Sequence, residues 1–478
     1  MKCSDAVSFR PYIPYNFPED KKKPYLCRLA PARDGFTAEW LDNHTPDASH
    51  TLHFRVRDSG EWNTQPLTSG VVTVTGLLPD TEYELYISSE TGEQSNLRYL
   101  RTGEIPEGAV VVNYLHPEDR QYQFSGRFLC SPSLARLPDG RLVAGMDVYG
   151  GEMGQNLTIL FRSEDDGKTW RYLGDVYPFY WATLFVHRGI LYLLGLTTEY
   201  GNLQISASAD GGEHWQRPAV LLYGANNYCA NGGMHRAPMH VVSDNGRLYT
   251  TCEYGSWKTG GHIPGVLSMD ENDDPMLPEN WSCTGFLPYE GKWKEETVTR
   301  GHAIEGNIIR LPDGGLYNIM RWKTGEALAL RVNPDDPDAL PEYAGVLKMP
   351  VATSMFRIFP YRGGYLLITN HPTEKSARSA GSIGVFRNVL SVYYSADFSD
   401  WHFVRDIVNR EEEPDRAVGF QYPCVLVEGD TLYITVRSAF NHADSFHNSN
   451  YSLFFKTDLD ESELSMIQAV YDRQKGSL

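Results

Sequence analysis

The chain has 478 residues, enough for two domains or for one large repeat array with an accessory module. Hydrophobic residues make up 41% and aromatic residues 12%, which supports a large packed core and excludes a disordered chain. Against 61 Asp and Glu there are 43 Lys and Arg, and the net charge of −18 argues against a general nucleic-acid or anionic-membrane binder while leaving room for a local arginine cluster that meets an anionic small substrate.

The seven cysteines (Cys3, Cys27, Cys130, Cys229, Cys252, Cys283 and Cys424) are odd in number, scattered, and form no C-x-x-C. They read as free thiols in a reducing compartment and give no zinc or disulfide framework. The first 26 residues hold no apolar signal-peptide core, and no apolar run reaches the length of a membrane-spanning helix. The expected location is cytoplasmic; a secreted chain trimmed of its leader would read the same.

Residues 1–24 are punctuated by Pro and Lys and are expected to form an extended lead-in. Residues 36–40 and 51–57 alternate with period 2, as half-buried strands do. A further apolar run from Val71 ends in Leu77-Leu78-Pro79-Asp80-Thr81-Glu82-Tyr83-Glu84-Leu85-Tyr86-Ile87. This ending resembles a fibronectin type III domain, in which a Leu-Pro turn leads into a tyrosine corner. The resemblance implies a β-sandwich over 25–103, with Tyr83 as the corner tyrosine and Trp40 as the buried core tryptophan. Its implied role is that of a spacer, docking surface or cover. The stretch 103–108, Gly-Glu-Ile-Pro-Glu-Gly, is a predicted linker.

From residue 109 one unit repeats: apolar strand, tight turn, apolar strand, variable loop, two more strands. Six turns mark it: Leu137-Pro138-Asp139-Gly140, Val186-His187-Arg188-Gly189, Ser243-Asp244-Asn245-Gly246, Leu311-Pro312-Asp313-Gly314, Pro360-Tyr361-Arg362-Gly363-Gly364 and Val427-Glu428-Gly429-Asp430. Their glycines recur at intervals of 49, 57, 68, 50 and 65 residues, which suits four-stranded blades with loops of unequal length. A second repeat has the form S-x-D-x-G-x-x-W. It occurs at Ser163-Glu164-Asp165-Asp166-Gly167-Lys168-Thr169-Trp170 and at Ser208-Ala209-Asp210-Gly211-Gly212-Glu213-His214-Trp215. A shorter copy without the glycine is Ser395-Ala396-Asp397-Phe398-Ser399-Asp400-Trp401. The Asp carboxylate can accept backbone N–H groups, and Gly permits positive φ. These stretches resemble the Asp-box of sialidases and related β-propellers, which implies a structural role on the outer rim of a blade. The expected fold is all-β: a six-bladed, sialidase-like β-propeller over 109–478, preceded by the small sandwich.

Several polar residues fall at the starts of inner strands, where a propeller builds its site. Arg127 precedes the first blade, Glu305 enters the fourth and Arg321 ends the next strand; Arg387 precedes a strand of the fifth and Tyr422 enters the sixth. In order and separation this set resembles the sialidase constellation. The resemblance implies Tyr422 as nucleophile, Glu305 as the base that takes its proton, and Arg127, Arg321 and Arg387 as a clamp for the substrate carboxylate. The residue types suit the chemistry. A sugar with a carboxylate on its anomeric carbon repels an anionic nucleophile, a neutral tyrosine avoids that repulsion, and an arginine fork matches a carboxylate. Two departures stand out. Arg127, in Gly126-Arg127-Phe128-Leu129, is the weakest clamp match, and the acid/base aspartate of the family has no clean counterpart. Asp147 and Glu152 both lie in the corresponding loop, and Asp147, leaving the inner strand directly, is preferred.

A second polar cluster comprises Arg437 and the run through His447 to Tyr451, with His235 and His240 entering the third blade and His302 the fourth. Arg437, His235, His302 and His447 are candidates for substrate contact. The histidines also suit acid/base or metal-binding roles, but no spacing is diagnostic of a metal, and neither metal nor cofactor is expected. The stretches 180–187, 419–422 and 447–451 also resemble a broad group of sialidase-like bacterial propellers. The function implied is an exo-acting glycoside hydrolase on an oligosaccharide or glycoconjugate, removing a terminal, carboxylated sugar, with sialic acid the first candidate. The alternatives are a uronate-specific polysaccharide lyase, a glycosidase for another terminal sugar, and a non-catalytic glycan-binding propeller.

Overall fold

The computed structural model of the chain describes residues 21, 23–150, 154–224, 232–257, 261–288, 303–375, 385–414 and 416–476. Most of the expected lead-in, and the candidates Glu152 and His302, lie outside these residues. The regular structure of the described chain is nearly all β, and its longest helix, Glu461–Lys475, packs against the fifth of the later sheets.

The first seven strands make two sheets. One pairs Tyr25–Ala32, Gly35–Leu41 and Val71–Thr75; the other pairs Asn63–Leu67, His50–Val56, Glu82–Ser89 and Arg98–Arg101. Their inner faces bury Leu29, Phe36, Leu52, Val74, Leu85, Ile87 and Leu100 between them, the alternation expected of packed antiparallel sheets. The Tyr83 hydroxyl accepts the Leu78 N–H at 2.9 Å, tying the Leu-Pro turn to the strand that follows. Trp40 is half-buried where full burial was expected: it shares the inner face of its strand with Phe36 and Ala38 and packs at the edge of this core, with its indole N–H donating to the Ser69 carbonyl at 2.9 Å.

Six further sheets follow in chain order, each antiparallel and mostly four-stranded. The six tight turns join the first and second strands of the six sheets. Three carry positive φ at both central residues, Arg188-Gly189, Asn245-Gly246 and Arg362-Gly363, the hairpin geometry that matches strand twist. In the sixth sheet the outermost strand is Ala109–Tyr114, which pairs with Tyr451–Asp458, so the start of the array closes its end. Neighbouring sheets are tied by side chains. Ser133 accepts the Leu184 N–H at 2.7 Å, Glu253 accepts the Glu305 N–H at 3.1 Å, Asn307 accepts the Ile358 N–H at 3.2 Å, and Asn370 donates to the Phe420 carbonyl at 2.6 Å. The Leu129 N–H donates to the Ser449 carbonyl at 2.9 Å, linking sheet one back to sheet six. The result is a β-propeller. Every residue of Leu142–Tyr149 and of Val389–Ser395 is buried, since these strands pack sheets on both faces.

The two full Asp-boxes occupy turns between third and fourth strands, at the rim. Asp165 accepts the Thr169 N–H at 2.8 Å and Asp210 the His214 N–H at 2.9 Å, while Ser163 and Ser208 accept the Gly167 and Gly212 N–H groups. Trp170 and Trp215 are buried beneath them. None of these residues lies near the ring's central cavity.

Candidate active site

The inner strands share one irregularity. In four of them two residues face a single residue on the partner strand: Ser131 and Pro132, Trp181 and Ala182, Glu305 and Gly306, Tyr422 and Pro423. The first residue of each pair has positive φ, at 48°, 49°, 60° and 57°. These are β-bulges with a non-glycine residue in the left-handed region, a conformation that costs on the order of 1 kcal/mol each. Each bulge turns its first side chain out of the strand's alternation. All four of these side chains, Ser131, Trp181, Glu305 and Tyr422, line one cavity of about 270 Å³. Strain repeated at one place marks the site.

Within it the Tyr422 hydroxyl donates to Glu305 Oε1 at 2.6 Å. Arg321 Nη1 donates to Glu305 Oε2 at 2.8 Å and to the Tyr422 oxygen at 3.0 Å. Behind them Glu253 is wholly buried; one oxygen takes the Glu305 N–H and the other pairs with His235 Nδ1 at 2.9 Å. The Arg387 and Arg437 guanidinium groups lie 5.8 and 5.4 Å from the Tyr422 ring centroid. Arg387 is held by Gln421 and by the Thr353 carbonyl at 2.9 Å; Arg437 by Ser449 at 3.2 Å and Tyr149 at 2.9 Å. Arg321 and Arg387 each keep a buried Nε–H with no acceptor among the described residues. Three arginines on sheets four, five and six thus gather around Tyr422, and among the described residues only Arg321 of the three pairs with Glu305, so this side of the cavity is set to receive an anion.

Burial, and then Glu305, raise the Tyr422 phenol above its usual pKa despite the opposing arginines, so it is neutral at physiological pH. Burial lowers Arg321, but Glu305 and Tyr422 more than reverse this. His447 accepts from or donates to the Tyr149 hydroxyl at 2.9 Å and is pushed down to about 2 by burial and then by Arg437 and Arg387. It adds no charge to the cavity and is a poor base at neutral pH.

Of the residues expected from sequence, Tyr422, Glu305, Arg321, Arg387, Arg437, His235 and His447 converge. Arg127 does not. Its neighbour Phe128 takes the inward side and packs on Tyr149, so Arg127 is exposed and lines a separate cleft with Arg57, Tyr99 and Glu118. Asp147 is also misplaced for an acid/base: it is fully buried between sheets one and two, accepting from Thr158 Oγ1 at 2.5 Å and the Ala182 N–H at 3.3 Å. Burial pushes it up to about 8. His240 lies in another cavity, beside Phe359 and 3.6 Å from Cys424. Among the described residues no cluster of three or more His, Cys, Asp or Glu is arranged to hold a metal ion.

Sequence reading missed Ser131, Glu199 and the aromatic wall of Trp181, Tyr180 and Trp257, all of which line the cavity. Trp257 is 45% exposed, with its ring 5.7 Å from His235. The readable trace was the proline inside two inner strands, Ser131-Pro132 and Tyr422-Pro423, since proline within a central strand signals a bulge.

No family model matches the chain, and no curated protein matches it. Among solved structures it is similar to the α-L-arabinofuranosidase Arb93A of Fusarium graminearum, at 13% identity over 74% of this chain and 99% of that one, with a TM-score of 0.50. It is equally similar to a protein of unknown function from Dyadobacter fermentans DSM 18053, at 14% identity, the same coverage and a TM-score of 0.50. The Hadza microbial sialidase Hz136 aligns over 94% of this chain and 98% of its own at 13% identity and a TM-score of 0.49. Likeness at these identities concerns the fold.

Proposed function

We propose that the cavity is the active site of an exo-acting glycosidase that removes a terminal, carboxylated sugar, sialic acid being the first candidate. The observation that carries this reading is the Tyr422 phenol bonded at once to Glu305 and Arg321, with Arg387 and Arg437 beside it. The arginines take the sugar carboxylate. The neutral phenol approaches the anomeric carbon without charge repulsion and passes its proton to Glu305 as the new C–O bond forms and the bond to the leaving oxygen breaks, that oxygen departing as the protonated alcohol. Water then displaces the tyrosine from the opposite side, so the configuration is retained. A cavity of about 270 Å³, below the usual 300–1,000 Å³ of drug-sized sites, suits one terminal unit better than a chain passing through. The exposed face of Trp257 offers a stacking surface for the next sugar.

Turnover of 4-methylumbelliferyl glycosides, led by the sialoside and the glucuronide, tests the reading. Wild-type cleavage of the sialoside is expected, with Tyr422→Phe and Glu305→Gln each slowed by about 10²-fold or more. Cleavage of a neutral glycoside alone would overturn the carboxylated substrate, and full activity of Tyr422→Phe would overturn the nucleophile.

A further inference from the structure

Across the ring from Arg387, the same cavity carries a carboxyl group that the Tyr422–Glu305 pair does not engage. Glu199 lies in the turn between Ile190–Leu196 and Leu203–Ser208 of sheet two. That turn is firmly held. The Thr197 N–H donates to the Asn202 carbonyl at 2.9 Å, and the Gly201 N–H to the Thr198 carbonyl at 2.8 Å. Thr198 Oγ1 donates to the Gly154 carbonyl of the neighbouring loop at 2.6 Å. On the other side, buried Tyr200 forms a bridge to Met234 of sheet three and accepts the Trp257 N–H at 2.9 Å.

Gln155 Nε2 donates to Glu199 Oε2 at 2.5 Å. Gln155 is itself buried, with its N–H on the Ser125 carbonyl at 2.9 Å and its Oε1 3.4 Å from the Tyr180 hydroxyl. No Lys or Arg pairs with Glu199 among the described residues. Burial therefore holds its proton above the usual carboxylate range, opposed weakly by Gln155 and His235. Among the described residues, the other carboxyls near the cavity are committed: Glu305 to Tyr422 and Arg321, Glu253 to His235 and a backbone N–H, Asp147 to the seam between sheets.

We propose that Glu199 is the acid/base group of this site, on the wall facing the arginines, with Gln155 orienting it; the assignment rests on the glycosidase reading above. In the first step the bond from the anomeric carbon to the leaving oxygen breaks as the bond to the Tyr422 oxygen forms. The leaving oxygen takes the Glu199 proton, and the Tyr422 proton passes to Glu305. In the second step water attacks the anomeric carbon, its proton goes to the Glu199 carboxylate, and Tyr422 departs with the proton from Glu305. The sum is hydrolysis, with both carboxyls restored. The charge layout fits: the sugar carboxylate rests on sheets four to six, and the leaving group points to sheet two.

The test compares kcat/KM on two probes for the full chain carrying Glu199→Gln or Glu199→Asp. Sialyllactose has an alcohol leaving group that must be protonated; 4-methylumbelliferyl sialoside has a phenol that needs little help. Glu199→Gln is expected to lose about 10²- to 10⁴-fold on sialyllactose and less than about tenfold on the aryl sialoside, with Glu199→Asp between wild type and Glu199→Gln. Equal losses on both probes, as a structural role would give, overturn the assignment, and so does no loss on either. Full turnover by Tyr422→Phe together with the split for Glu199→Gln would sink the nucleophile and leave Glu199 standing. Silence of the wild type on both probes overturns the reading and the assignment together.

Discussion

Asp147 and Glu199 illustrate how burial, which a sequence does not print, assigns roles to carboxyl groups. Asp147 lies near the end of the second strand of sheet one and Glu199 just past the second strand of sheet two, but one is sealed between sheets and the other lines the cavity. The sealed group has a measurable signature. Asp147 is raised to about 8 in the folded chain, against about 3.9 when unfolded. Between those values the folded chain holds a proton that the unfolded chain has released, so stability falls as pH rises, by up to about 1.4 kcal/mol per unit. Asp147→Asn is expected to flatten this loss in urea unfolding between pH 5 and 8 and to leave turnover within about tenfold of wild type. A 10²-fold loss of turnover at unchanged fold would restore Asp147 to the reaction. Tyr422, Glu305, Arg321 and Arg387 were legible because their order along the chain is preserved by the ring. Arg127 was misjudged because a single alternation step, Phe128 inward, decides which way it points. Glu199 sits in an unremarkable Thr-Thr-Glu-Tyr-Gly turn that carries no signal.

The elements divide the work between centre and rim. At the centre the bulges aim side chains inward, and their second residues are small or proline: Pro132, Ala182, Gly306 and Pro423. A Cβ on Gly306 would lie 1.8 Å from Asn318 Oδ1, so Gly306→Ala is expected to shift Glu305 away from Tyr422. The predicted cost is about 10²-fold in kcat, since misplacements near 1 Å are that expensive. At the rim, Gly167 has φ 89° and a Cβ there would lie 2.0 Å from the Phe454 ring. Gly167→Ala is expected to lower stability by roughly 2–3 kcal/mol in denaturant unfolding, with turnover per folded molecule unchanged. Loss of activity without loss of stability in Gly167→Ala would contradict the division. The degenerate box at 395–401 was readable as a relic, but its repair was not. Gln474 on the closing helix accepts the Ala396 N–H at 2.6 Å and donates to the Asp400 carbonyl at 2.8 Å, a contact made across 74 residues or more of chain.

At the scale of the molecule, the six hairpin turns were legible because each needs its own glycine, whereas closure by Ala109–Tyr114 depends on pairing ends some 340 residues apart and leaves no local mark. The same strand carries the docking of the sandwich. Arg28 donates to the Val111 and Val112 carbonyls at 2.7 Å, and Arg98 pairs with Asp119 where both are almost fully buried. Glu39 accepts the Tyr172 N–H at 2.9 Å, reaching sheet one. The sandwich is thus fixed to the seam where the ring closes. Removing one partner of a buried ion pair strands the other charge, so Arg98→Leu is expected to cost about 3–5 kcal/mol. Calorimetry would show a lowered transition; an unchanged one would mean that the junction contributes little.

The central claim is that Tyr422 attacks the sugar. Incubation with a 3-fluorosialosyl fluoride, whose fluorine slows release of the glycosylated protein, followed by intact and peptide mass spectrometry, tests it most directly. The account predicts one added fluorosialosyl unit, on the peptide holding Tyr422, and none in Tyr422→Phe. An adduct on Glu199 or Glu305, or none from a protein that turns over the aryl sialoside, would contradict it.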